Sequence, residues 1–595
     1  MRRVLWGGWE LLKIAWSESR KRVVISFSLM LLQWAALPLA APALGRLTDS
    51  VVEQNSRGAV VAGLWLAAML IASLVSGHFS HIFYFELGEM AGLRLQADLI
   101  RFSNDSAGLE HHERPEYADK MQVLRQETER MGWTSMQALL DSAGLSLALG
   151  ITIFLLVRLN PFLLLLPLAA IPPLILGRRA ESLLGKTREA AADPTRRARH
   201  LFELSNSAAS AKELRTCGLG PEIRARHDRA WAKASRILLR GEMRAVALRA
   251  CGQLVFALGY VGATLLVVRD AVAGSRSVGD VVLAITLAAQ VNQQVTDTVN
   301  LLQEMQRTAK ALSDLRWIQD LVSQSVEIRE DAVMPERIVE GIRVSGLQFA
   351  YPGTDRIVLG DVDLFLPAGS TVALVGENGA GKTTLVKLLC RFYDSYEGAI
   401  QLDGVDIRRF LLREFRERIA AGFQDFARFE FLARETVGLG DLPEIESSEA
   451  VLSALERAEA DDVIRRLEDG LETLLGKSYA DGTELSGGQW QKLALGRAMM
   501  RTAPLLLVLD EPTSALDAQA EHDLFERYAE GAQRVGRLTG AITLLVSHRF
   551  STVRMADLIL VVADGKIIEA GNHQQLMALD GLYAELFDIQ ARAYS

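Results

Sequence analysis

The first half of the chain contains six long apolar runs separated by polar segments. A membrane-spanning helix needs about 20 mostly apolar residues, and the runs lie at 23–45, 59–84, 137–158, 160–177, 246–268 and 279–300. Because the third and fourth runs almost touch in sequence, we expect a tight hairpin between them. The pattern predicts a polytopic α-helical membrane domain of six transmembrane helices at 23–320, after a cytoplasmic N-terminal segment at 1–22.

Basic residues are concentrated on one side of these runs. Six lysines and arginines lie before the first run and seven follow the fourth within 178–199, whereas the opposite loops, at 46–57 and 269–280, are short and of mixed charge. Lysine and arginine favour the cytoplasmic side of a membrane. We therefore expect a multi-pass protein of the cell inner (plasma) membrane whose C-terminal half lies in the cytoplasm.

Two segments between the runs, 85–136 and 178–245, are rich in charge and have helical periodicity. They predict helices that extend beyond the bilayer. Each contains a break, at 112–117 and at 217–222, that suits a short transverse helix, and we expect these breaks to dock onto the C-terminal domain. The alternative is that they are solvated loops.

The sixth run carries polar residues on one helical face, namely Gln290, Gln293, Gln294, Asp297, Asn300 and Glu304. Polar groups at membrane depth normally face a water-filled cavity or another helix. These residues are therefore candidates for a substrate pathway. The alternative is that this end of the helix already projects into the cytoplasm.

After residue 320 the long apolar runs give way to short strand-like and helix-like segments. We predict a linker at 321–340 and an α/β P-loop nucleotide-binding domain at 341–595. Residues 376–383 fit the phosphate-loop pattern G-x-x-x-x-G-K-[ST], between a buried strand at 371–375 and a helix from Thr384. This context places bound phosphates at a helix N-terminus and predicts nucleotide binding.

Two further motifs follow in the same domain. The apolar run 505–510 ends in Asp510, and a carboxylate at the tip of a buried strand suits a magnesium site. Glu511 follows directly and could act as a general base on an attacking water. Ser486 is placed to cap a helix, and the two glycines after it would expose N–H groups as a second phosphate-binding surface.

The composition limits the classes of protein to which this chain can belong. A chain of 595 residues is too long for one core, and 49% hydrophobic residues with a mean hydropathy of +0.15 agree with a membrane part. A net charge of −8 gives no indication of nucleic-acid binding. Three widely spaced cysteines support neither a disulfide framework nor a zinc site.

Together these motifs resemble those of one protein family. The phosphate loop, the Leu-Ser-Gly-Gly-Gln stretch at 485–489, and Asp510 and Glu511 followed by Ser-Ala-Leu-Asp at 514–517 resemble the nucleotide-binding domain of ATP-binding cassette (ABC) transporters, over roughly 340–590. The six preceding runs with long intracellular extensions resemble the membrane domain of an exporter-type half-transporter.

The resemblance implies ATP and Mg²⁺ as cofactors. It assigns ATP binding to the loop residues Gly376, Asn378, Gly379, Gly381, Lys382, Thr383 and Thr384, and magnesium to Thr383, Gln424 and Asp510. It implies that Glu511 is the catalytic base and that His548 contacts the γ phosphate and the attacking water. Tyr351 would stack on adenine.

In the family, ATP is held between the phosphate loop of one domain and the Leu-Ser-Gly-Gly-Gln stretch of another. Ser486 and Gly488 would therefore close over the ATP of a partner subunit. This chain has one copy of each motif, so the resemblance implies a dimer, most simply a homodimer, in the lipid bilayer. It also implies export of a substrate from cytoplasm to outside by alternating access.

The substrate class is suggested by finer motifs. Residues 423–430, 481–484 and 488–492 are similar to bacterial exporters of lantibiotics and other modified peptides, although no cysteine-peptidase domain is expected before the first run. We therefore expect export of a modified peptide. The alternatives are a multidrug or lipid exporter of the same architecture, with an amphipathic substrate, and a membrane protein that uses ATP binding to regulate or gate.

Overall fold

The structure is a computed structural model that describes residues 2–104, 108–323, 331–511, 536, 539–547 and 549–593. The chain divides into two units. The helical unit comprises Met1–Phe102 and Lys120–Ile318, and the α/β unit comprises Ser103–Asp119 and Gln319–Ser595. The short segment Ser103–Asp119 therefore belongs with the C-terminal unit, although long helices precede and follow it in sequence.

The regular secondary structure described in the first half of the chain is helical. Its helices are α1 Arg2–Glu18, α2 Arg20–Val52, α3 Ser56–Asn104, α4 Pro115–Leu159, α5 Leu165–Ala169, α6 Ile171–Ala190, α7 Ala192–Asn206, α8 Ala208–Thr216, α9 Gly220–Val272 and α10 Val278–Ser323. A 3₁₀ turn, Pro161–Leu164, follows α4, and the Asn160 side chain caps it by accepting a hydrogen bond from the Phe162 N–H at 3.0 Å. This cap confirms the tight hairpin between the third and fourth apolar runs.

Within the described residues, five stretches are long and apolar enough to cross a membrane: Arg20–Val52, Ser56–Asn104, Gly132–Leu159, Pro161–Ala190 and Gly220–Val272. They contain the first five predicted runs. The sixth run lies in α10, a continuous helix of 46 residues whose polar side chains lower its hydropathy. Large apolar side chains on the outer faces, such as Leu74 and Leu258, are exposed, as expected where helices face lipid.

The two charged segments are helical, as predicted, but their breaks differ. Residues 108–114 form turns and α4 begins at Pro115, so no separate transverse helix occupies 112–117 in the part of the chain that the structure describes. Proline favours the first turn of a helix because the N–H that it lacks would have no partner there. At the second break, the short helix α8 ends at Thr216, and Gly218 adopts a left-handed φ of 62° before α9.

Helices α3 and α4 meet at a pair of glycines. A Cβ atom on Gly88 would lie 2.6 Å from the carbonyl oxygen of Gly132 and from the Cα of Trp133. A Cβ atom on Gly132 would lie 2.6 Å from the carbonyl oxygen of Gly88. The two backbones are therefore in direct contact, and no larger residue fits at either position without moving a helix.

The described residues of the α/β unit form two sheets. Its strands are β1 Gly341–Ala350, β2 Ile357–Pro367, β3 Thr371–Gly376, β4 Glu397–Leu402, β5 Val405–Asp406, β6 Ile419–Gly422, β7 Leu506–Asp510, β8 Ile542–Val546, β9 Leu558–Ala563 and β10 Lys566–Gly571. The smaller sheet is antiparallel with the order β2-β1-β4-β5, and the larger has the order β10-β9-β3-β8-β7-β6, in which only the β10–β9 pair is antiparallel.

Helices of the α/β unit pack either on the two faces of the larger sheet or against another helix. They are α11 Lys382–Leu389, α12 Leu412–Glu417, α13 Ala433–Gly438, α14 Ser448–Arg457, α15 Asp461–Arg465, α16 Gly487–Ala498, α17 Phe550–Val553, α18 His573–Leu579 and α19 Leu582–Ala593, with 3₁₀ turns at Ile407–Arg409, Leu442–Glu444 and Gly470–Glu472. Along β3, Val372 and Leu374 pack into one core cluster and Ala373 and Val375 into another. This alternation explains why a strand covered on both faces is a continuous apolar run in sequence.

The Gly88–Gly132 contact predicts a steep cost of substitution. We expect Gly88→Ala to lower the stability of the helical unit by about 1–3 kcal/mol, because the added methyl group would force α3 and α4 apart. Gly63→Ala is the matched control on the same helix, since a Cβ atom there would meet nothing within 4 Å, and alanine favours a helix by about 0.5–1 kcal/mol. Thermal unfolding of the purified full chain in detergent measures both, and equal midpoints for the two variants would contradict the contact.

Candidate active site

The predicted chemistry converges on one edge of the larger sheet. Strands β3, β8, β7 and β6 are parallel neighbours, so their carboxyl ends lie at the same edge. The phosphate loop follows β3, Asp510 is the last residue of β7, and Gln424 follows β6 by two residues. The sheet topology therefore brings together residues that are up to 134 positions apart in sequence, from Gly376 to Asp510.

The phosphate loop depends on glycines with positive φ angles. Gly376, Gly379 and Gly381 have φ values of 149°, 82° and 107°, which side-chain-bearing residues rarely adopt. At Gly376 a Cβ atom would also lie 2.1 Å from the carbonyl oxygen of Val562 on β9. The loop can therefore turn tightly from β3 into the N-terminus of α11, while Asn378 at its tip is exposed.

Lys382 folds back over this loop. Its side chain is buried, and its Nζ donates hydrogen bonds to the carbonyl oxygens of Gly376 and Glu377, both at 2.9 Å. Burial lowers the pKa of the ammonium, while the negative charges of Glu511 and Asp510 act in the opposite direction. The Lys382 ammonium thus places a positive charge in the phosphate loop, close to the carboxylates of Glu511 and Asp510.

Asp510 is the most deeply buried carboxylate of the site, with 2% of its surface exposed. Burial, followed by the neighbouring Glu511 charge, raises its pKa to about 6, although a hydrogen bond from the Thr383 hydroxyl partly offsets the shift. This interaction makes two of the three predicted magnesium ligands neighbours. A hydroxyl and a carboxylate are oxygen ligands of the kind that Mg²⁺ prefers.

Glu511 is held by the third predicted ligand. The Gln424 Nε2 donates a hydrogen bond to the Glu511 Oε2 at 2.7 Å, and the Glu511 N–H donates to the Val546 carbonyl at 3.0 Å. Glu511 has a φ of 47°, a backbone conformation uncommon outside glycine that recurs at functional sites. The strand end and the glutamine together fix where its carboxylate lies.

Ser486 caps a helix, as the sequence predicts. The residues beside it pack into a different core cluster from the one under the phosphate loop. The Ser486 hydroxyl accepts a hydrogen bond from the Gln489 N–H at 3.3 Å, and the Gln489 Oε1 accepts from the Ser486 N–H at 2.8 Å. The flanking Leu485 and Trp490 pack with α13–α15, away from the core cluster under the phosphate loop. Among the described residues, no hydrogen bond joins Ser486 or Gly488 to that loop.

Tyr351 lies beside the helix that follows the loop. Its hydroxyl is hydrogen-bonded to the Thr384 hydroxyl at 2.9 Å, and its ring lies edge-on to Phe349 and Tyr393 at centroid distances of 5.1 and 5.6 Å. The Lys387 Nζ lies 5.3 Å from the ring centroid. The ring is therefore fixed next to the loop, and stacking on adenine stays a prediction.

The segment 108–114 contacts the α/β unit next to this tyrosine cluster. The Tyr393 hydroxyl donates a hydrogen bond to the Glu113 carboxylate, the Ser395 hydroxyl donates to Glu110 at 2.6 Å, and the Leu109 N–H donates to the Phe392 carbonyl at 3.0 Å. Burial and the adjacent Glu113 charge raise the pKa of Tyr393. These bonds confirm the predicted docking of the first break, whereas Tyr393 itself was missed because an isolated tyrosine after a helix carries no motif.

The polar residues of α10 do not share one environment. Gln294 is buried and its Nε2 donates to the Thr152 hydroxyl at 3.0 Å, and the Gln290 Nε2 donates to the Leu37 carbonyl at 3.0 Å. Glu304 accepts from Thr134 at 3.2 Å. These three residues join α10 to α2 and α4.

Gln293 and Asn300 are exposed, and Gln293 donates to Asp297 at 3.0 Å. This smaller set remains the candidate for a substrate pathway.

Two predicted features lie outside the described residues, namely His548 and the Ser-Ala-Leu-Asp stretch at 514–517. The neighbours of position 548 are described. Strand β8 ends at Val546, which pairs with Asp510 on β7 and Leu374 on β3. The strand that leads to position 548 therefore lies between the phosphate loop and Asp510.

Comparison with known proteins agrees with this geometry. The family model for the ABC transporter matches residues 359–514, which contain the phosphate loop, Gln424, Ser486, Asp510 and Glu511. The chain is also similar to a solved structure of a bacterial Atm1-family ABC exporter with ATP bound, with a TM-score of 0.78, 25% identity, and coverage of 96% of this chain and 98% of that one. The fold is therefore that of an ABC exporter half, in which a helical membrane domain precedes one nucleotide-binding domain.

Sequence relatives have names that differ from the peptide exporters suggested by the finer motifs. The chain is 39% identical over 339 residues to the ATP-dependent lipid A-core flippase of Chromohalobacter salexigens, covering 57% of this chain and 56% of that protein. It is 36% identical over 313 residues to the protein of the same name from Pseudomonas aeruginosa, covering 53% and 50%. The matches span about half the length of these relatives, and they give no support to a closer likeness to lantibiotic exporters.

The raised pKa of Asp510 predicts a pH-dependent cost to stability. In the folded chain the Asp510 carboxyl group stays protonated up to about pH 6, whereas an aspartate in the unfolded chain stays protonated only up to about pH 4. The free energy of unfolding therefore falls as pH rises through that window. We expect Asp510→Asn to stabilise the nucleotide-free chain by on the order of 2 kcal/mol at pH 7.5, and by less at pH 5. Thermal unfolding at the two pH values measures this.

Asp588→Asn, at an exposed position on α19, is the control for loss of one negative charge. A pH-independent effect of Asp510→Asn, or the same effect from Asp588→Asn, would contradict the assignment of a desolvated carboxyl group.

Proposed function

We propose that this chain, which has the fold of an ABC exporter half, binds ATP and Mg²⁺ and uses ATP hydrolysis to move an amphipathic substrate across the membrane. The observation that carries the proposal is the convergence of Lys382, the Thr383–Asp510 pair and the Gln424–Glu511 pair at one sheet edge. A chain that also contains apolar helices long enough to cross a membrane can couple this chemistry to transport.

The residues present suit the proposed cofactors. The loop N–H groups and the α11 N-terminus would hold the polyphosphate, and Lys382 would exchange its loop carbonyls for the β and γ phosphates. Thr383, Asp510 and Gln424 would hold Mg²⁺, which offsets charge on the phosphates. Glu511, positioned by Gln424, would accept the proton of the attacking water. His548 is proposed to orient that water.

A dimer follows from where the second phosphate surface lies. Ser486 caps α16 and Gly488 lies in its first turn, beside a separate core cluster from the one under the phosphate loop. Among the described residues, neither has a hydrogen bond to the loop. A second copy of the chain would supply the missing half of each site, which gives two equivalent sites in a homodimer. ATP would then close the two nucleotide-binding domains on each other.

The docked segment offers a route from the site to the membrane helices. Tyr351 contacts Tyr393, which binds Glu113, and the segment that carries Glu113 leads into α3 on one side and α4 on the other. A movement of the tyrosine cluster would therefore displace the ends of both helices. Alternating access by this route is the proposed coupling.

The proposed substrate is an amphipathic lipid rather than a peptide. Relatives that match about half of the chain are named lipid A-core flippases. A cavity of about 650 Å³ lies between α9 and α10, lined by apolar residues with Tyr260, Gln253 and Asn292. An apolar wall with a few polar groups suits an acyl chain and its polar neighbour. The Gln293–Asp297 pair, in which Gln293 is exposed, favours the peptide alternative, because peptides require polar partners.

The role of Glu511 can be tested directly. We expect Glu511→Gln to lower the ATP hydrolysis rate by about 10²-fold or more, because loss of a general base removes at least that factor, while ATP binding is retained. Hydrolysis by the purified chain in lipid nanodiscs measures the rate, and cross-linking of the two nucleotide-binding domains with ATP measures the trapped dimer. Full turnover in the variant would overturn the assignment of the base.

The substrate class is tested by stimulation of hydrolysis. With Glu511→Gln as the background, the wild-type chain in nanodiscs is titrated with lipid A-type glycolipids, apolar dyes and modified peptides. Saturable stimulation by the glycolipids would support a lipid exporter. Stimulation by peptides alone would favour the alternative, and binding of ATP without hydrolysis would support a gating protein instead of a pump.

A further inference from the structure

Two adjacent histidines, His111 and His112, point at the same backbone atom. The segment 108–114 is not helical, so these neighbours can lie on one side of the chain, whereas adjacent residues of a helix do not face each other. The two imidazole rings are in contact, with their centroids 4.1 Å apart. The Nε2–H of each ring donates a hydrogen bond to the carbonyl oxygen of Ser103, both at 3.3 Å. Two ring nitrogens therefore converge on one oxygen.

A second oxygen of Ser103 belongs to the same cluster. The buried Tyr117 ring of α4 lies edge-on to both imidazoles, at centroid distances of 4.9 and 5.3 Å. Its hydroxyl donates a hydrogen bond to the Ser103 hydroxyl at 3.2 Å. His112 is exposed, so water can reach the two imidazoles from that side.

The end of α3 favours a cation at this position. Ser103 is the last residue but one of α3, and the final carbonyl groups of a helix lack partners within it and carry its partial negative charge. Burial, followed by the neighbouring His112, lowers the pKa of His111, although the hydrogen bond to Ser103 acts in the opposite direction. Two protonated rings in contact would repel each other. One divalent ion bound to two neutral rings would supply positive charge without that repulsion.

The spacing of the three atoms suits the ligands of one ion. Two atoms that bind Zn²⁺ at about 2.1 Å lie about 3.0–3.4 Å from each other, for bond angles of about 90–109°. Each Nε2 lies 3.3 Å from the Ser103 oxygen. A neutral imidazole carries its single proton on either nitrogen, so each Nε2 becomes a ligand when that proton moves to Nδ1. Imidazole nitrogen suits Zn²⁺, Ni²⁺ and Cu²⁺.

We propose that His111, His112 and Ser103 form a binding site for a divalent transition-metal ion of the Zn²⁺ type. The two Nε2 atoms and the Ser103 carbonyl oxygen bind the ion, and water completes its shell. No third histidine, cysteine or carboxylate among the described residues belongs to the group. The ion ties the last turn of α3 to the segment that docks onto Tyr393 and Ser395. Neither ATP nor a transported substrate takes part, so the proposal stands apart from the proposed function.

Calorimetric titration with zinc chloride tests the site. The nucleotide-free full chain, purified in detergent with a tag that lacks histidine, is compared with His112→Gln and with His200→Gln. His112 is exposed, so its replacement leaves the packing in place, and His200 is an exposed histidine on α7 that serves as the matched control. We expect saturable binding by the wild type and the control. His112→Gln should weaken the affinity by about tenfold or more, since even the outer partners of a metal ligand contribute that much.

Electron paramagnetic resonance of bound Cu²⁺ identifies the ligands. We expect the splitting from two imidazole nitrogens in the wild type and in His200→Gln, and its loss or reduction to one nitrogen in His112→Gln. A wild type without saturable Zn²⁺ binding would overturn the site. Unchanged affinity in His112→Gln, or an equal loss in His200→Gln, would assign the binding to other residues and would overturn it as well.

Discussion

The buried carboxyl group of Asp510 is the constraint on which the candidate site depends. A charge removed from water at the end of β7 is costly unless cations and hydrogen-bond donors surround it. Thr383 and Lys382 supply those partners, and burial still raises the pKa to about 6. The proposed Mg²⁺ would replace the solvation that this carboxyl group has lost. The same requirement explains why the phosphate loop, β7 and Gln424 have to meet at one edge.

Close backbone approach is the second recurring constraint. Gly88 and Gly132 let α3 and α4 touch, Gly7 lets α1 touch α10, and Gly376 lets the phosphate loop pass the β9 carbonyl of Val562. In each case a methyl group would occupy space already taken by backbone atoms, which cannot move as a side-chain end can. Packing of this kind leaves no room for a side chain between the two backbones.

The segment 103–119 links the helical unit to the α/β unit along the chain. It is continuous with α3 and α4 in sequence, yet its contacts place it with the α/β unit. Glu110 and Glu113 meet Ser395 and Tyr393 just after the helix that follows the phosphate loop. Tyr393 also contacts Tyr351, so a single aromatic residue touches both the docked segment and the predicted adenine platform. The hydrogen bond from the Tyr393 hydroxyl to the Glu113 carboxylate forms only in a particular orientation of the two side chains, so it fixes their direction as well as their position.

Sequence alone determined the features that follow from local pattern. Apolar run length specifies membrane-spanning helices, the phosphate loop specifies its own strand, turn and helix, and Ser486 specifies a helix cap, because each depends on residues close together in the chain. Tertiary structure decided the rest. The Gln424–Glu511, Gln294–Thr152 and Tyr393–Glu113 hydrogen bonds join residues that are 87 to 280 positions apart in sequence. The proximity of Thr383 to Asp510 is likewise a result of the tertiary structure. Such pairs depend on strand order and helix packing, which the spacing of residues within a short segment does not predict.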